Sequence, residues 1–471
     1  MIQFGTGGWR AVIGDEFTKA NIQLLTKALC MKMKAECPRN LRMVIGYDRR
    51  FLSKEAVKWA CEVMAAEGIK TWFVNRSCPT PLIMFYVQKH GFSYGMMVTA
   101  SHNPAIYNGI KVFTEGGRDA SEEQTAQIER YLELAAEDEI VTIDYEKARE
   151  QGKVIEFNPL NEYLDNIIDH IDMKAIRSRG LHVVLDPMYG VSQTSLKTIL
   201  STARCEVDLI HERHDTLFGR KLPAPTEDTL KALQNYVLDM ECDIGIATDG
   251  DADRIGVIDD QGRYLTANEI LMLLYYYLLK YKGWRGPAVR NVATTHILDK
   301  IAASYGENCY EVPVGFKYIS AKMQETGAVI GGESSGGLTV KGHIHGKDGI
   351  YAAALLVEMI AVTGGSLSDL VKEIHEKFGR CCMTERSCSF PRERRPEIFR
   401  ILMEDKLLPD FGLPIDHVSY LDGCKVYFRN GGWIIARFSG TEPVLRIFSE
   451  MDTKEEARKL SDIFQTFLQV G

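Results

Sequence analysis

Short apolar, β-branched runs alternate along the chain with amphipathic stretches of helical length, the pattern of α/β units whose strands are mostly buried. In the first third RMVIGY (42–47), TWFV (71–74), GMMV (95–98) and IKVF (110–113) read as strands, separated by helical stretches such as 54–67. Residues 121–152 read as a charged helix running into a linker. A second unit begins near Phe157 and contains HVVLD (182–186), CEVDLI (205–210) and DIGIATD (243–249); a third follows Gly262 with AVRNVATT (288–295), CYEVPV (309–314) and AVIGGE (328–333). After Gly379 the texture changes: RSCSF, KVYF, WIIARF and VLRIFSE are closely spaced strands, and a helix over 454–469 closes the chain. Strands followed by a terminal helix predict a smaller α+β domain. The expectation is three related mixed-sheet α/β domains, 1–150, 151–257 and 258–375, plus a smaller C-terminal α+β domain, 376–471.

The length of 471 residues agrees with that division, since domains run to about 100–200 residues. Hydrophobic residues at 45% and charged residues at 25% exclude disorder, collagen and coiled coil. The net charge of −8 gives no electrostatic drive toward a polyanion, so no nucleic-acid partner is expected. The basic run PRERRPEIFR (391–400) is broken by two Glu and two Pro and reads as a solvated segment. Eleven cysteines without a repeated spacing suggest reduced thiols, not a disulfide frame or zinc site. The longest apolar run, 270–279, is half a bilayer span and lies between Glu269 and Lys280, so it predicts a buried helix and no membrane association. With no signal-peptide pattern after Met1, the expected location is cytoplasmic.

Four segments carry chemistry. TDGDADRIG (248–256) follows an apolar strand and places Asp249, Asp251 and Asp253 at every second position. Three carboxylates so spaced repel one another unless they converge on a hard cation such as Mg²⁺. The calcium-loop alternative fails because Arg254 stands where that loop requires Gly. GMMVTASHNPAIYNGIK (95–111) is a buried strand opening into a polar loop with Ser101 beside His102 and ahead of Pro104, the place where α/β folds put reactive groups. No G-x-S-x-G elbow surrounds Ser101, and SHNP alone reads as well as a turn. VIGGESSGGL (329–338) sets Glu333 and Ser335 among glycines, suited to sugar hydroxyls or to a surface turn. RFSGTEPVLRI (437–447) gathers Arg437, Ser439, Gly440 and Thr441, the donors a phosphate monoester needs, on what also reads as a hairpin turn. GTGGWR (5–10) adds a Gly-rich loop ending in Arg10.

Together and in this order, the loops resemble the α-D-phosphohexomutase family, especially its phosphoglucomutase members, from Gly5 to Arg446. The resemblance implies that the domains stand around a central cleft. It implies that Ser101 of T-A-S-H-N-P carries the transferred phosphoryl group. Asp249, Asp251 and Asp253, with Ser101, would bind Mg²⁺ beside Arg254. Glu333 and Ser335 would hold sugar hydroxyls, and Arg437, Ser439, Gly440 and Thr441 the substrate phosphate. Arg10 and Lys111 match the family's N-terminal Arg and the Lys ten residues after the serine. Gly337 stands where the bacterial mannose/glucose and glucosamine subgroups usually have His. VPVGFKYI (312–319), with Gly315, is similar to the phosphoglucomutase G-[FW]-K stretch, although Val314 replaces a common hydroxyl residue. HIHGKDG (343–349) resembles the glucose-type members, in which Lys347 would face the ligand phosphate. These features favour glucose over mannose or glucosamine.

The implied activity is Mg²⁺-dependent interconversion of glucose 1-phosphate and glucose 6-phosphate, through phospho-Ser101 and a hexose 1,6-bisphosphate, with glucose 1,6-bisphosphate as activator. Phosphomannomutase and phosphoglucosamine mutase are the alternatives within that mechanism. A Mg²⁺ phosphatase and a noncatalytic sugar-phosphate sensor are the alternatives outside it. Lys111 and His102 are the candidate general bases, Lys111 requiring a depressed pKa that nearby cations would supply. The expected partner is a small-molecule hexose phosphate, and the expected assembly a monomer or homodimer.

Overall fold

The strand-like runs of the first third form a mixed sheet. Its order is Trp9–Val12, Tyr107–Thr114, Tyr94–Val98, Arg42–Tyr47, Lys70–Val74 and Val154–Phe157, with Arg118–Asp119 beside Tyr107–Thr114. Arg42–Tyr47 lies parallel to both neighbours, with Ile45 opposite Met96 and Phe73. Tyr107–Thr114 then runs antiparallel to Tyr94–Val98 and to Trp9–Val12, with Met97 opposite Lys111 and Arg10 opposite Gly109. This register sets the two cationic residues close together on one edge of the sheet. The computed structural model describes residues 2–5, 7–136, 139–380, 382–439 and 443–471.

Helices Lys19–Glu36 and Ser53–Ala66 cover one face of this sheet, where Leu25, Leu29, Ala56, Ala60 and Met64 join Met43, Ile45, Met96, Val98 and Ile110 in one core. Each fully buried Leu or Ile side chain contributes about 1.5–3 kcal/mol. Thr18 caps the first helix by accepting from the Asn21 amide at 3.3 Å. The charged stretch 121–152 forms two helices, Glu122–Ala135, opened by a capping box of Ser121 and Gln124, and Tyr145–Glu150.

The second sheet has the order Tyr264–Leu265, Ile255–Ile258, Ile244–Thr248, His182–Asp186, Glu206–Leu209. Ile244–Thr248 is parallel to His182–Asp186 and antiparallel to Ile255–Ile258, so residues 249–254 form the connection of a hairpin. Both sheets outrun the expected boundaries at 150 and 257. Val154–Phe157 pairs with Lys70–Val74, and Tyr264–Leu265 pairs with Ile255–Ile258. The first of these edge strands is only partly buried and carries Glu156, and the second has two residues, so neither reads as an apolar run.

By compactness the chain forms two units, one running to Ile270 with Ser335–Ser368, the other Leu271–Ser334 with Asp369–Gly471. The first contains both sheets above. In the second, Ala288–Asn291 is parallel to Cys309–Val312 and Ile330–Gly332. A separate antiparallel sheet there has the order Cys382–Ser389, Val444–Met451, Trp433–Phe438, Cys424–Phe428, Ile415–Ser419. Helix Lys454–Leu468 seals it with Leu460, Phe464 and Leu468 over Ile434, Ala436 and Ile447. The fold is thus α/β with a smaller C-terminal α+β region, as the pattern predicts. Residues 270–279 lie buried in helix Ala267–Lys280. Among the described residues no single helix is long and apolar enough to cross a membrane, and the ten described cysteines are free thiols.

Candidate active site

Ser101 lies in the loop that leaves strand Tyr94–Val98 and runs to Tyr107, and it is 1% exposed. Its backbone is left-handed, with φ 52°, a conformation that is strained for a residue other than glycine and persists only where surrounding contacts impose it. Those contacts are present. The Ser101 amide donates to Thr99 Oγ1 at 2.8 Å, and Thr99 Oγ1 donates to Asp48 Oδ2 at 2.6 Å. Arg50 donates to the carbonyl oxygens of Ser101 and Asn103 at 2.7 Å each, of Pro104 at 2.9 Å and of Tyr107 at 3.0 Å. The backbone of the loop is therefore gripped from below, and the Ser101 side chain faces the second sheet. Gly250 permits this approach, since a Cβ there would lie 2.8 Å from the Ser101 carbonyl oxygen.

Ser101 Oγ donates to Asp249 Oδ2 at 2.7 Å. The other Asp249 oxygen accepts the Asp253 and Arg254 amides at 3.1 Å each, which closes the hairpin loop. Lys111 donates to Asp251 Oδ2 and Asp253 Oδ2, both at 2.7 Å, and Thr80 Oγ1 donates to Asp251 Oδ2 at 2.6 Å. All three aspartates are buried. Burial and the neighbouring Asp251 and Asp253 push the Asp249 carboxyl well above the usual carboxylate range. Burial would raise Asp253 too, but Lys111, Lys347 and Arg254 together hold it well below that range.

The donor set fits a hard divalent cation. One oxygen of each carboxylate lies within 4.8 Å of the others. Asp251 Oδ1 and Asp253 Oδ1 are buried without a hydrogen-bond partner among the described residues, a costly condition that a cation relieves. Lys111 occupies the opposite oxygens, so it leaves these two open.

Around this centre, Arg10 Nη1 donates to Asn103 Oδ1 at 2.7 Å. Burial and then Arg254 lower the Arg10 pKa. His102 Nδ1 lies 3.3 Å from Ser101 Oγ. Burial, Arg254 and Arg10 push that imidazole down to about 2, so it is neutral at pH 7. Lys111 meets the opposite environment from the one expected. Burial favours its neutral form, but Asp251 and Asp253 outweigh burial and hold its pKa above the ordinary value. Arg254 Nε stands 3.8 Å from Asp253 Oδ1. Lys347 Nζ reaches Asp253 Oδ2 at 3.1 Å by running over Gly337, where a Cβ would lie 2.2 Å from Lys347 Cδ. The absent side chain at Gly337 is thus the space that Lys347 fills. Ser335 is exposed in the same unit.

The remaining expected residues lie in the second unit. Glu333 is half-buried and accepts the Gly315 amide at 3.2 Å and Asn291 Nδ2 at 3.4 Å. Arg437 Nε and Nη2 donate to Asp422 at 3.2 and 3.3 Å, and Asp422 Oδ2 also accepts the Val314 amide at 2.8 Å. Through Asp422, the loop at Val314 and Gly315 is tied to the Arg437 loop. The Ser439 amide donates to the Val444 carbonyl at 2.8 Å. Gly440 and Thr441 lie outside the described residues.

Sequence reasoning passed over Asp48, Arg50, Thr80, Asn103, Asn291 and Asp422. Two signals were present: D-R-R directly after strand Arg42–Tyr47, and a Thr-Pro helix start after strand Lys70–Val74, both at strand C-termini. Asp422 carried none, being a lone acid in a turn.

All four domain models of the phosphoglucomutase/phosphomannomutase family match: α/β/α domain I over residues 1–139, domain II over 161–262, domain III over 266–378 and the C-terminal domain over 396–465. A phosphoglucomutase/phosphomannomutase of Thermococcus kodakarensis is 31% identical over 98% of this chain and 97% of its own length. A probable phosphoglucosamine mutase of Methanopyrus kandleri is 30% identical over 98% and 96%. A phosphomannomutase-type structure from Thermus thermophilus superposes with a TM-score of 0.86 at 29% identity, covering 99% of both chains. With full-length similarity above 30% and every domain matched in order, the chain belongs to the phosphoglucomutase/phosphomannomutase family, the α-D-phosphohexomutases.

Proposed function

We propose that the chain interconverts glucose 1-phosphate and glucose 6-phosphate, with the phosphoryl group carried on Ser101 and a hexose 1,6-bisphosphate as the bound intermediate. The observation that carries this reading is Ser101 Oγ at 2.7 Å from Asp249, next to two buried carboxylate oxygens that accept no hydrogen bond among the described residues. Mg²⁺ held by Asp249, Asp251, Asp253 and the phosphoryl group on Ser101 would supply positive charge to the phosphoryl oxygens during transfer.

In the first half-reaction a sugar hydroxyl oxygen bonds to phosphorus as the bond from phosphorus to Ser101 Oγ breaks. The hydroxyl proton passes to His102, whose imidazole is neutral and can accept it; Lys111, kept protonated by Asp251 and Asp253, supplies positive charge instead of a base. Arg10 and Arg254 add positive potential. The bisphosphate then turns over, and the other phosphoryl group returns to Ser101 Oγ. Glu333 and Ser335 take the sugar hydroxyls in either presentation, with the Gly315 amide orienting the Glu333 carboxylate. Arg437, Ser439, Gly440 and Thr441 hold whichever phosphate is not reacting, and Lys347, 3.1 Å from Asp253, faces the ligand phosphate at the aspartate centre. A phosphatase using the same serine and aspartates would need no such second grip.

The resemblance of 312–319 and 343–349 to glucose-type members, with Gly337 in place of the His of the other subgroups, favours glucose over the other hexoses. A second reading, a phosphoglucosamine mutase with the same chemistry, is favoured by the similarity to the Methanopyrus kandleri protein. Coupled assays with the 1-phosphates of glucose, mannose and glucosamine, each with Mg²⁺ and a trace of the matching bisphosphate, separate them. The expected result is fastest turnover with glucose 1-phosphate and none in Ser101→Ala. Release of free phosphate would make the chain a phosphatase, and ligand binding without turnover would make it a sensor.

A further inference from the structure

A cavity of about 820 Å³ in the first unit lies on the other side of the Ser101 loop's support. That volume is in the range of sites for small organic ligands. It is bounded by Asp48–Leu52, which follow strand Arg42–Tyr47, by Asn75–Pro79, which follow strand Lys70–Val74, and by the start of helix Gln193–Thr202. These are the C-terminal ends of parallel strands, the usual crevice for ligands in open α/β sheets. Neither Ser101, the aspartate triad, Arg10 nor Lys111 lines it.

The helix at the wall is ten residues long and no side chain caps it: Ser192 at its cap position has helical backbone, φ −78° and ψ −19°, and its Oγ accepts from Thr248 Oγ1 at 2.7 Å. Its first-turn amides are therefore available to an acceptor. Ser195, in that turn, lines the cavity, is 1% exposed, and its Oγ has no hydrogen-bond partner among the described residues. Gln193 Oε1 beside it is likewise buried without a partner among them. Native proteins rarely leave such atoms without a water, ion or ligand; of the two, the Ser195 hydroxyl can donate to an anion, whereas Gln193 Oε1 takes a donor.

The charge around the cavity points to an anion. Arg49 spends Nη1 on the carbonyl oxygens of Glu212, at 2.9 Å, and Tyr189, at 3.4 Å, and makes no ion pair among the described residues. Arg76 and Lys54 also line the cavity, exposed and without a carboxylate partner among the described residues. The acids present are Glu55 and Asp48, the latter already holding Thr99, Ser53 and Arg50. Leu82, Val74, Val191 and Leu160 supply an apolar wall. We propose that this cavity is a second ligand site for a small organic phosphate, whose phosphate sits on the open helix turn at Gln193–Ser195 facing Arg49 and Arg76.

The site touches the centre described above by two short routes. Arg50, which lines it, holds the Ser101 loop. Pro79, which also lines it, precedes Thr80, whose amide donates to the Asp251 carbonyl at 2.9 Å and whose hydroxyl binds Asp251 Oδ2.

The test is a titration of the whole ¹⁵N-labelled protein with inorganic phosphate and, separately, AMP, followed at the amides of Gln193, Thr194 and Ser195. These amides are expected to shift to saturation, with the same Kd in wild type and in Arg437→Ala, whose change lies in the other unit. Losing one charge-assisted donor in the exposed-residue variant Arg76→Ala is expected to raise that Kd about tenfold, as is Ser195→Val. Amides that do not move with either probe, or a Kd unchanged in Arg76→Ala and Ser195→Val, would overturn the assignment. A Kd that changes in Arg437→Ala alone would place the anion elsewhere and overturn it equally. None of these outcomes depends on whether the chain turns over glucose phosphates.

Discussion

Replacing Lys111 by Met tests how the aspartate centre stays folded without a bound cation. Lys111 is 5% exposed and donates to Asp251 and Asp253 at 2.7 Å each. Removing one partner of a buried ion pair costs about 3–5 kcal/mol, because a charge is left buried and uncompensated. Asp253 keeps Lys347 at 3.1 Å, so Asp251, left with the Thr80 hydroxyl, bears most of the loss, and the low end, about 3 kcal/mol, applies. Protonation sets a ceiling. Bringing an aspartic acid of reference pKa about 3.9 to its neutral form at pH 7 costs about 4 kcal/mol, and at pH 5 only about 1.5 kcal/mol. In the wild type, Asp251 and Asp253 sit below their ordinary values, so their contribution is full above about pH 4 and lost as pH falls through the lowered values. In the variant the Asp251 carboxyl rises above its unfolded value, so the penalty is largest at neutral pH and shrinks on acidification. Thermal unfolding in chelator at pH 7 should show a fall in Tm of about 6–12 °C, on the scaling for domains of about 150–250 residues. The deficit should narrow at pH 5, and millimolar Mg²⁺ should restore most of it by binding the folded state. A variant as stable as wild type in chelator at pH 7, or a penalty that does not shrink at pH 5, would refute the reasoning.

Gly337→His forces Lys347 off Asp253, since even a Cβ there would meet the Lys347 chain at 2.2 Å; the expected outcome in the coupled assay is a KM for hexose phosphate raised about tenfold, one decade per 1.4 kcal/mol of lost phosphate contact. Gly8→Ala places a Cβ 2.5 Å from the Ile110 carbonyl oxygen at φ +102°, so urea unfolding should show a loss of about 1–3 kcal/mol. Asp422→Asn loosens Arg437 and weakens the Val314 amide contact; steady-state kinetics should give a several-fold higher KM with Ser101 phosphorylation, read by intact mass, unchanged.

The α/β alternation was legible because parallel strands buried on both faces are continuous apolar runs, as in RMVIGY and DIGIAT. The strands that escaped, among them Trp9–Val12, Val154–Phe157, Ile255–Ile258, Tyr264–Leu265 and Ile415–Ser419, are short and mostly lie beside glycines or charged residues that break the apolar run. The site was legible where one loop supplies several like groups, as the triad does. It was not legible where single residues from distant segments converge. Arg50 is 51 positions from Ser101 and Thr80 is 171 from Asp251. No local spacing encodes such pairs, and each lies in a loop that alone reads as a strand end.

Lys111 shows most clearly why motif and environment must be read together. The sequence places a lysine ten residues after Ser101 and next to no acid, which invites a reading as a base depressed by neighbouring cations. The antiparallel pairing of Tyr107–Thr114 with Tyr94–Val98 sets it opposite Met97, and the hairpin of the second sheet brings Asp251 and Asp253 onto its ammonium. Two carboxylates at 2.7 Å outweigh burial. The same contacts claim only the Oδ2 atoms and leave Asp251 Oδ1 and Asp253 Oδ1 without a hydrogen bond among the described residues. A fixed ammonium on one side of the aspartates and open oxygens on the other reconcile a loop of three like charges with a folded protein. The cation site can therefore be empty or filled without dismantling the loop that positions Ser101.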